Sequence, residues 1–460
     1  MSSSSSSPAR LKPFATRILQ PRSCTNCVNV LLSQCFVSLS PGALEPLSAS
    51  APWAIFPRKK LDVTYRDIGA GLAACLQLRE HQRQEFEQKI TGLWDPSGHA
   101  MVTLSIRTGF DLLLQTLKLP AGSEVLCSAI TIPDMLYVLR YHGLVPVPVD
   151  LDPETLAVDV EQLKKAVTEK TEMMLIAHIF GSRFPLDEVL EVARSNDLMV
   201  VEDCAQAFMG MQYTGENRAD VSMFSFGTIK TATSFGGAII HVKNSALLEE
   251  MRRRERRYPS RTNLFFFKRL MKYGLLHGIS TPAVYGLFLH ACRAVGADHD
   301  KVITSAIRGF SGGELVSLIQ YRPSMALLGL MHRRLTCMDE QYVLLRKSKS
   351  EQLANAIKDL LNVSIPGHHA EKHYYWLFPV CVPSPQGVVS YMNKHGFDVT
   401  SGATQLAYVP SPLGHEHDPV HAKSIMTSLV YLPVTPETPD WAIEKMMCCF
   451  RDALHSSSRL

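Results

Sequence analysis

Three residues close together in this chain could do covalent chemistry as a set. Lys230 stands five positions after Ser225, within Phe224-Ser225-Phe226-Gly227-Thr228-Ile229-Lys230. Upstream, the apolar run Val200-Val201 ends in Glu202-Asp203-Cys204-Ala205-Gln206. A lysine amine joins an aldehyde as a Schiff base. A buried carboxylate keeps a proton on a ring nitrogen that faces it. Hydroxyls and backbone amides bind a dianionic phosphate. Lys230, Asp203 and Ser225 can fill these roles in turn, and a group that needs all three is pyridoxal 5'-phosphate. Gly227, Gly236 and Gly237 would let the backbone come close to it.

Plainer readings stand beside these. A lysine after a strand is commonly solvated, an aspartate after a strand commonly caps a helix, and a strand serine commonly bonds to backbone. His178 ends another apolar run and suits either the site or the core.

The elements that position these residues follow from hydrophobic patterning. Short apolar runs at 125–128, 145–149, 173–177, 198–201, 223–226 and 238–242 alternate with helical stretches at 133–142, 159–167 and 186–194. Runs of this kind imply parallel strands covered on both faces, the α/β pattern. Asp203 should then emerge at the carboxyl edge of the sheet, where such sheets bind ligands. A helix is expected over about 69–89. Beyond residue 335 come a long helix near 335–360, a strand at 374–382, a helix at 388–394, a strand at 429–432 and a final helix from Pro439.

The segment from Gly122 to Asn244 resembles the DegT/StrS-like aminotransferases, known for aminating keto nucleotide sugars. The matching pieces are GSEVLCSAITIPDM, GLVPVPVDLDPETLAVD, IAHIFGSRFPLDEV, VVEDCAQAF, MFSFGTIK and GGAIIHVKN, in that order. YYWLFPV and LVYLPVTPETPD are similar to parts of that family's small domain. The resemblance covers about 100–255 well and 335–455 loosely. It implies an aspartate-aminotransferase-like (fold type I) large domain with a mostly parallel sheet, and a smaller C-terminal α+β domain. The expected boundaries are a Ser-rich tail at 1–60, a cofactor-binding domain at 61–330 and a small domain at 331–460.

Carried over residue by residue, the resemblance makes Lys230 the Schiff-base lysine and Asp203 the partner of the pyridine nitrogen. It places Gln206 beside the cofactor ring and Ser225 on the phosphate. The family's Ser-Gly-Thr phosphate loop corresponds to Ser105-Ile106-Arg107-Thr108-Gly109, where Arg107 and Thr108 would add donors. Two features depart from the family. Ile132 follows Thr131 where an aromatic ring usually stacks on the cofactor. The Asn-His-Gly loop that reaches a neighbouring subunit is replaced by Arg252-Arg253-Arg254-Glu255-Arg256-Arg257.

The implied activity is a pyridoxal-phosphate-dependent transamination, from an amino-acid donor to a keto or aldehyde acceptor, in a homodimer. The rivals are a non-catalytic or regulatory protein on the same fold, and a pyridoxal-phosphate enzyme of another reaction type.

Composition bounds these readings. The 460 residues are 46% hydrophobic and 20% charged, which suits a globular body larger than one ordinary core. A net charge of +4 demands no nucleic-acid partner. Eleven cysteines without regular spacing fit reduced thiols in an intracellular protein, cytoplasmic or organellar. Residues 1–44 are Ser-rich and free of acidic side chains, the composition of an organelle transit peptide or of an untargeted tail. No metal site is expected, because Cys24 and Cys27 lack a second ligand pair and His368, His369 and His373 sit on an irregular stretch. The Arg252–Arg257 run, flanked by Glu249 and Glu250, reads as a solvated helix face or as a cationic contact to an anion. Residues 263–296 are apolar enough for core packing, a subunit contact or a peripheral membrane helix hairpin.

Overall fold

Seven strands form one sheet in the order Ala100–Thr103, Ala238–Val242, Val221–Ser225, Met199–Asp203, Thr171–Ala177, Glu124–Ser128, Val145–Val149. Only Ala238–Val242 runs against the others, antiparallel to both of its neighbours. The computed structural model describes residues 51–297, 299, 302–303, 314–402, 404–412 and 418–457. The serine-rich segment 1–44, with Cys24 and Cys27, lies outside the described residues.

The sheet forms because its strands are apolar on both sides. Val125, Met173, Val201, Met223 and Ile240 point to one face, where they meet Phe110 and Leu113 of helix Ile106–Leu117. Their neighbours Leu126, Met174 and Val200 point to the other, against Leu163 and Val189 of helices Val160–Ala166 and Asp187–Ser195. This period of two, with both sets buried, is what a covered parallel sheet requires. Gly109 lets helix Ile106–Leu117 press onto the sheet, since a Cβ there would lie 2.4 Å from Ile240 Cδ1.

A second core gathers Leu353, Ile357, Phe378, Val380, Met392, Phe397, Val430, Leu432, Ile443 and Phe450. Its strands, Phe378–Cys381 and Leu429–Leu432, pair antiparallel. Phe56 belongs to this core too, although residues 51–60 were assigned to the tail. Phe56 N–H donates to Gly396 O at 2.8 Å, and Asp398 N–H donates to Phe56 O at 2.9 Å. Beside them Arg58 grips the buried Asp398 through Nε at 2.7 Å and Nη2 at 2.6 Å.

Two expected elements differ. The helix expected over 69–89 is two, Tyr65–Gln77 and Arg83–Trp94, because Leu78 turns extended and ends the first. The long helix expected near 335–360 is present as Glu340–Ile357, capped by Asp339, and a separate helix, Met325–Thr336, precedes it. The strand expected over 374–382 begins only at Phe378, because Tyr375 adopts a left-handed φ of 48°.

Helix Asn263–Ile279 buries Phe266, Leu270, Tyr273 and His277 and leaves Leu264, Phe265, Phe267 and Met271 exposed. Among the described residues, no helix is long and apolar enough to cross a membrane. The Arg252–Arg257 run ends helix Ser245–Glu255 and is tied up locally: Arg253 and Arg254 pair with Glu250, Arg256 with Glu249, and Arg252 donates to the carbonyls of Gly98 and Ala100. That is a solvated, ion-paired face. His373, one of the three clustered histidines, is buried, and burial pushes its pKa down to about 3.

Candidate active site

The carboxyl ends of the parallel strands open onto a cavity of about 560 Å³. Asp203 and Ser225 end two of those strands and His178 follows a third. Gly236 and Gly237 lead into the antiparallel strand at the same edge. Lys230, Asp203, Gln206, Ser225, Arg107 and Ile132 all line the cavity.

Thr108 does not line it. The Thr108 hydroxyl is buried and donates to Ile319 O at 2.9 Å, while its N–H is taken by Ser105 Oγ at 3.2 Å. Ser105 is the N-cap of helix Ile106–Leu117, so this N–H is already satisfied. The expectation that Thr108 serves the phosphate is therefore corrected: its side chain holds the helix in place.

Lys230 sits on a stiff loop. Its N–H donates to Gly227 O at 3.0 Å, Thr233 Oγ1 donates to the same oxygen at 2.7 Å, and the N–H groups of Ser234 and Gly236 both reach Phe226 O at 3.1 Å. Nζ of Lys230 lies 4.1 Å from the centroid of the Trp376 ring, whose Nε1 donates to Ile229 O at 3.0 Å. Burial lowers the Lys230 pKa from its ordinary value to about 7; the Asp203 charge works against this and Arg107 adds to it. Asp203 is displaced the other way, raised chiefly by burial. Asp203 Oδ1 also accepts the Ala205 N–H at 2.9 Å, the local bond expected of an aspartate after a strand, without leaving the cavity wall. Gln206 Oε1 accepts the N–H of Phe180 at 2.8 Å, which fixes its amide at the wall.

Beneath Asp203 lies a network that the motif reading passed over. Glu202 is fully buried and accepts from His178 Nε2 at 3.0 Å, Ser222 Oγ at 2.7 Å, Glu216 N–H at 2.9 Å and the Tyr213 hydroxyl. Burial alone would raise its pKa; the bonds from His178, Tyr213 and Glu216 outweigh that and hold it at about 2. His178, Glu202 and Cys204 have ligand atoms within 4.8 Å of one another. The hydrogen bonds already made by Glu202 account for that cluster without a metal.

Charge and unmet donors describe what the cavity takes. Among the described residues, seven basic ones (Arg58, Arg107, Lys230, Arg261, Lys268, Arg269 and Lys272) and one acidic one, Asp203, line it. Thr228 Oγ1, His178 Nδ1 and Arg269 Nε have no hydrogen-bond partner among the described residues, and all three residues line the cavity. A ligand with a dianionic group fits this wall, since buried polar atoms are normally paired. The residues present thus fit pyridoxal phosphate: an amine lowered toward neutrality, a buried carboxylate, and hydroxyls and glycine amides at one end.

Residues 75–266 match the DegT/DnrJ/EryC1/StrS aminotransferase family. The family resemblance seen in the motifs holds over this region. GDP-perosamine synthase of Escherichia coli O157:H7 is 30% identical over 172 residues, 36% of this chain and 46% of that protein. The chain thus spans less than half the length of this curated relative. Among solved structures, the aminotransferase TlmJ of Streptoalloteichus hindustanus superposes with a TM-score of 0.65 at 15% identity, covering 88% of this chain and all of that one. The NtdA protein of Bacillus subtilis, solved with bound PMP, gives a TM-score of 0.60 at 17% identity, over 85% and 83% of the two chains. Fold type I is therefore the architecture of this chain.

Trp376 and the cationic side chains of Arg58, Arg261, Lys268, Arg269 and Lys272 were not singled out in the sequence. They reach the cavity from segments outside the strand-end motifs, and no local spacing marks them.

Proposed function

We propose that this chain is a pyridoxal-phosphate-dependent aminotransferase, with Lys230 as the covalent anchor and Asp203 as the partner of the ring nitrogen. The observation that carries the reading is the meeting of Lys230 and Asp203 in one cavity with opposite displacements of their pKa values. The anion cradle at the Ser225 end supports it. When bound, pyridoxal phosphate supplies a ring that draws electrons from the substrate carbon. Ser225, Thr228, the Gly227 N–H and Arg107 would hold its phosphate. Asp203, in a dry setting, would keep a proton on the ring nitrogen. A pKa of about 7 leaves a large share of Lys230 neutral at neutral pH, so Nζ can accept a proton from the substrate carbon and return it to another atom. Gln206 and Ile132 would pack beside the ring, Ile132 offering aliphatic contact in place of aromatic stacking.

The acceptor in this proposal is a keto or aldehyde sugar that carries phosphate. The excess of cations on the wall supports it, as does the GDP-sugar named for the curated relative. A homodimer belongs to the same proposal: Leu264, Phe265, Phe267 and Met271 form an exposed apolar strip beside the cavity mouth, and a second copy would cover it.

Recording the visible spectrum of the purified protein with pyridoxal phosphate, while titrating amino-acid donors, tests the reading. Conversion to the pyridoxamine form with one donor, and its reversal by a phosphorylated keto sugar, is expected. A protein that binds no cofactor, or binds it without responding to any donor, would favour the non-catalytic alternative. Consumption of substrate without the pyridoxamine form would favour another reaction type.

A further inference from the structure

Next to the main cavity, and sharing Ile229, Lys230 and Trp376 with it, lies a smaller cleft of about 30 Å³. Lys59 and Arg346 both line it. Lys59 Nζ stands 3.5 Å from the centroid of the Trp376 ring, is sealed from solvent, and has no hydrogen-bond partner among the described residues. Arg346 is buried as well, and its donors reach only Thr231 Oγ1 and Met209 Sδ at 3.5 Å and Tyr374 O at 3.4 Å. These contacts are at the far limit for a guanidinium, which normally bonds at about 2.7–2.9 Å.

The carboxylates nearby are committed elsewhere. Asp62 Oδ1 accepts from Arg334 Nη2 at 2.9 Å, and Asp62 Oδ2 accepts the Ala232 N–H at 2.6 Å. Glu437 Oε1 accepts from the Tyr342 hydroxyl and from Lys60 Nζ, each at 3.0 Å. The cleft therefore holds two cationic side chains with donors to spare, beside Lys230 and one carboxylate, Asp62, that is already engaged by Arg334 and the Ala232 N–H. The Trp376 face offsets part of the desolvation of Lys59 but accepts none of its hydrogen bonds in line. Unpaired buried charge of this kind is costly, and burial beside Lys230 and Arg346 lowers the Lys59 pKa well below its ordinary value.

We propose that Lys59 and Arg346 bind one small monovalent anion, a halide or the carboxylate of a small acid, in the cleft beside Trp376. The volume suits one such group, since a single water needs about 10–15 Å³ by the same measure. The anion supplies the acceptors that both side chains lack. It also places a negative charge in a cleft that Lys230 itself lines, and so favours the protonated form of that amine. The site does not depend on the aminotransferase reading: it is defined by two cations and a cleft, whatever the main cavity binds.

Two measurements on the full chain test it. In the first, Tm is followed while chloride, bromide, formate or acetate replaces methanesulfonate at constant ionic strength, the sulfonate being too bulky for the cleft. Wild type should gain about 1–2 °C as a small anion reaches ten times its Kd. Lys59→Met and Arg346→Gln should each lose that gain. In the second, a crystal grown in bromide should show anomalous density in contact with both side chains. A response to halides alone assigns a halide site, and a response to formate or acetate alone assigns a carboxylate site. Equal Tm responses in wild type and Lys59→Met, or bromide density absent from this cleft in a protein whose Tm ignores all four anions, would overturn the proposal.

Discussion

Lys230 and Trp376, 146 positions apart in the chain, meet with Nζ 4.1 Å from the ring centroid. The indole also donates to the carbonyl of Ile229, the residue before the lysine. One aromatic side chain from the C-terminal part thus both shapes the lysine loop and forms the floor on which the amine rests. The contact favours a cation on Nζ, whereas burial disfavours it and is the main cause of a Lys230 pKa lowered to about 7.

Replacing Lys230 is the most direct check on the proposed anchor. Lys230→Met should lower amino transfer by about 1000-fold or more and remove the borohydride-reducible linkage. Peptide mass analysis after reduction should place the label on residue 230 in wild type. A label on another lysine, with Lys230→Met still active, would sink the assignment.

Asp203→Asn separates holding the cofactor from using it. Covalent attachment should survive, whereas turnover should fall by about 100-fold or more, since an amide cannot sustain the charge that keeps the ring nitrogen protonated. Unchanged turnover at saturating cofactor and substrate would remove Asp203 from the mechanism.

The Lys230 pKa makes a prediction about stability in cofactor-free protein. Its folded value of about 7 lies below its ordinary value of 10.5. Below pH 7 both folded and unfolded chains carry the proton, and between 7 and 10.5 the unfolded chain binds more of it. Stability attributable to this group therefore rises with pH across that window, by no more than about 1.4 kcal/mol per pH unit; on acidification it is lost between 10.5 and 7, with little further change below 7. Urea unfolding of wild type and Lys230→Met at pH 7, 8 and 9 isolates the slope as a difference. Parallel curves would show that the amine is not depressed.

Thr108→Val and Arg107→Ala should part company. The first leaves Ile319 O without its donor and should cost about 1–3 kcal/mol of stability while cofactor affinity stays within about twofold. The second should weaken cofactor binding by about tenfold, the loss of one charge-assisted contact. Denaturant titration and equilibrium dialysis together read both, and a tenfold loss of affinity in Thr108→Val would restore that residue to the phosphate site.

Asp398→Ala removes the shared acceptor of Arg58 and of the Tyr285 hydroxyl. Loss of the paired Arg58 contacts and of the Tyr285 bond to a buried carboxylate should cost about 3–5 kcal/mol, read by urea unfolding. A loss under 1 kcal/mol would show that Arg58 finds water instead.

What could be read in advance was what a parallel sheet imposes. Asp203 and Ser225 were legible because a run of apolar residues must end somewhere, and its carboxyl end faces the ligand edge. The direction of Ala238–Val242 was not, since a buried apolar run looks the same either way along the chain. Thr108 was misplaced because a hydroxyl in the first turn of a helix serves a phosphate or a neighbouring carbonyl with equal ease; only the position of Ile319, more than two hundred residues on, decides it. Phe56 and Lys59 fell in a stretch of mixed composition next to the serine-rich tail, and their partners Phe397 and Trp376 share no pattern with them.

The grip of Arg58 on Asp398 spans 340 positions. On the ribosome, at about 5–20 residues per second, Arg58 is synthesised roughly 17–70 seconds before its acceptor. Throughout that interval Phe56 has no ring of Phe397 to stack on and Arg58 lacks its bonds to Asp398. Closure of so long a loop adds little to the equilibrium cost but delays the last step of folding. The segment around Phe56 is thus the natural place for a chaperone to hold the growing chain, and a ribosome stalled before residue 398 should release a protein whose first described residues are open to protease.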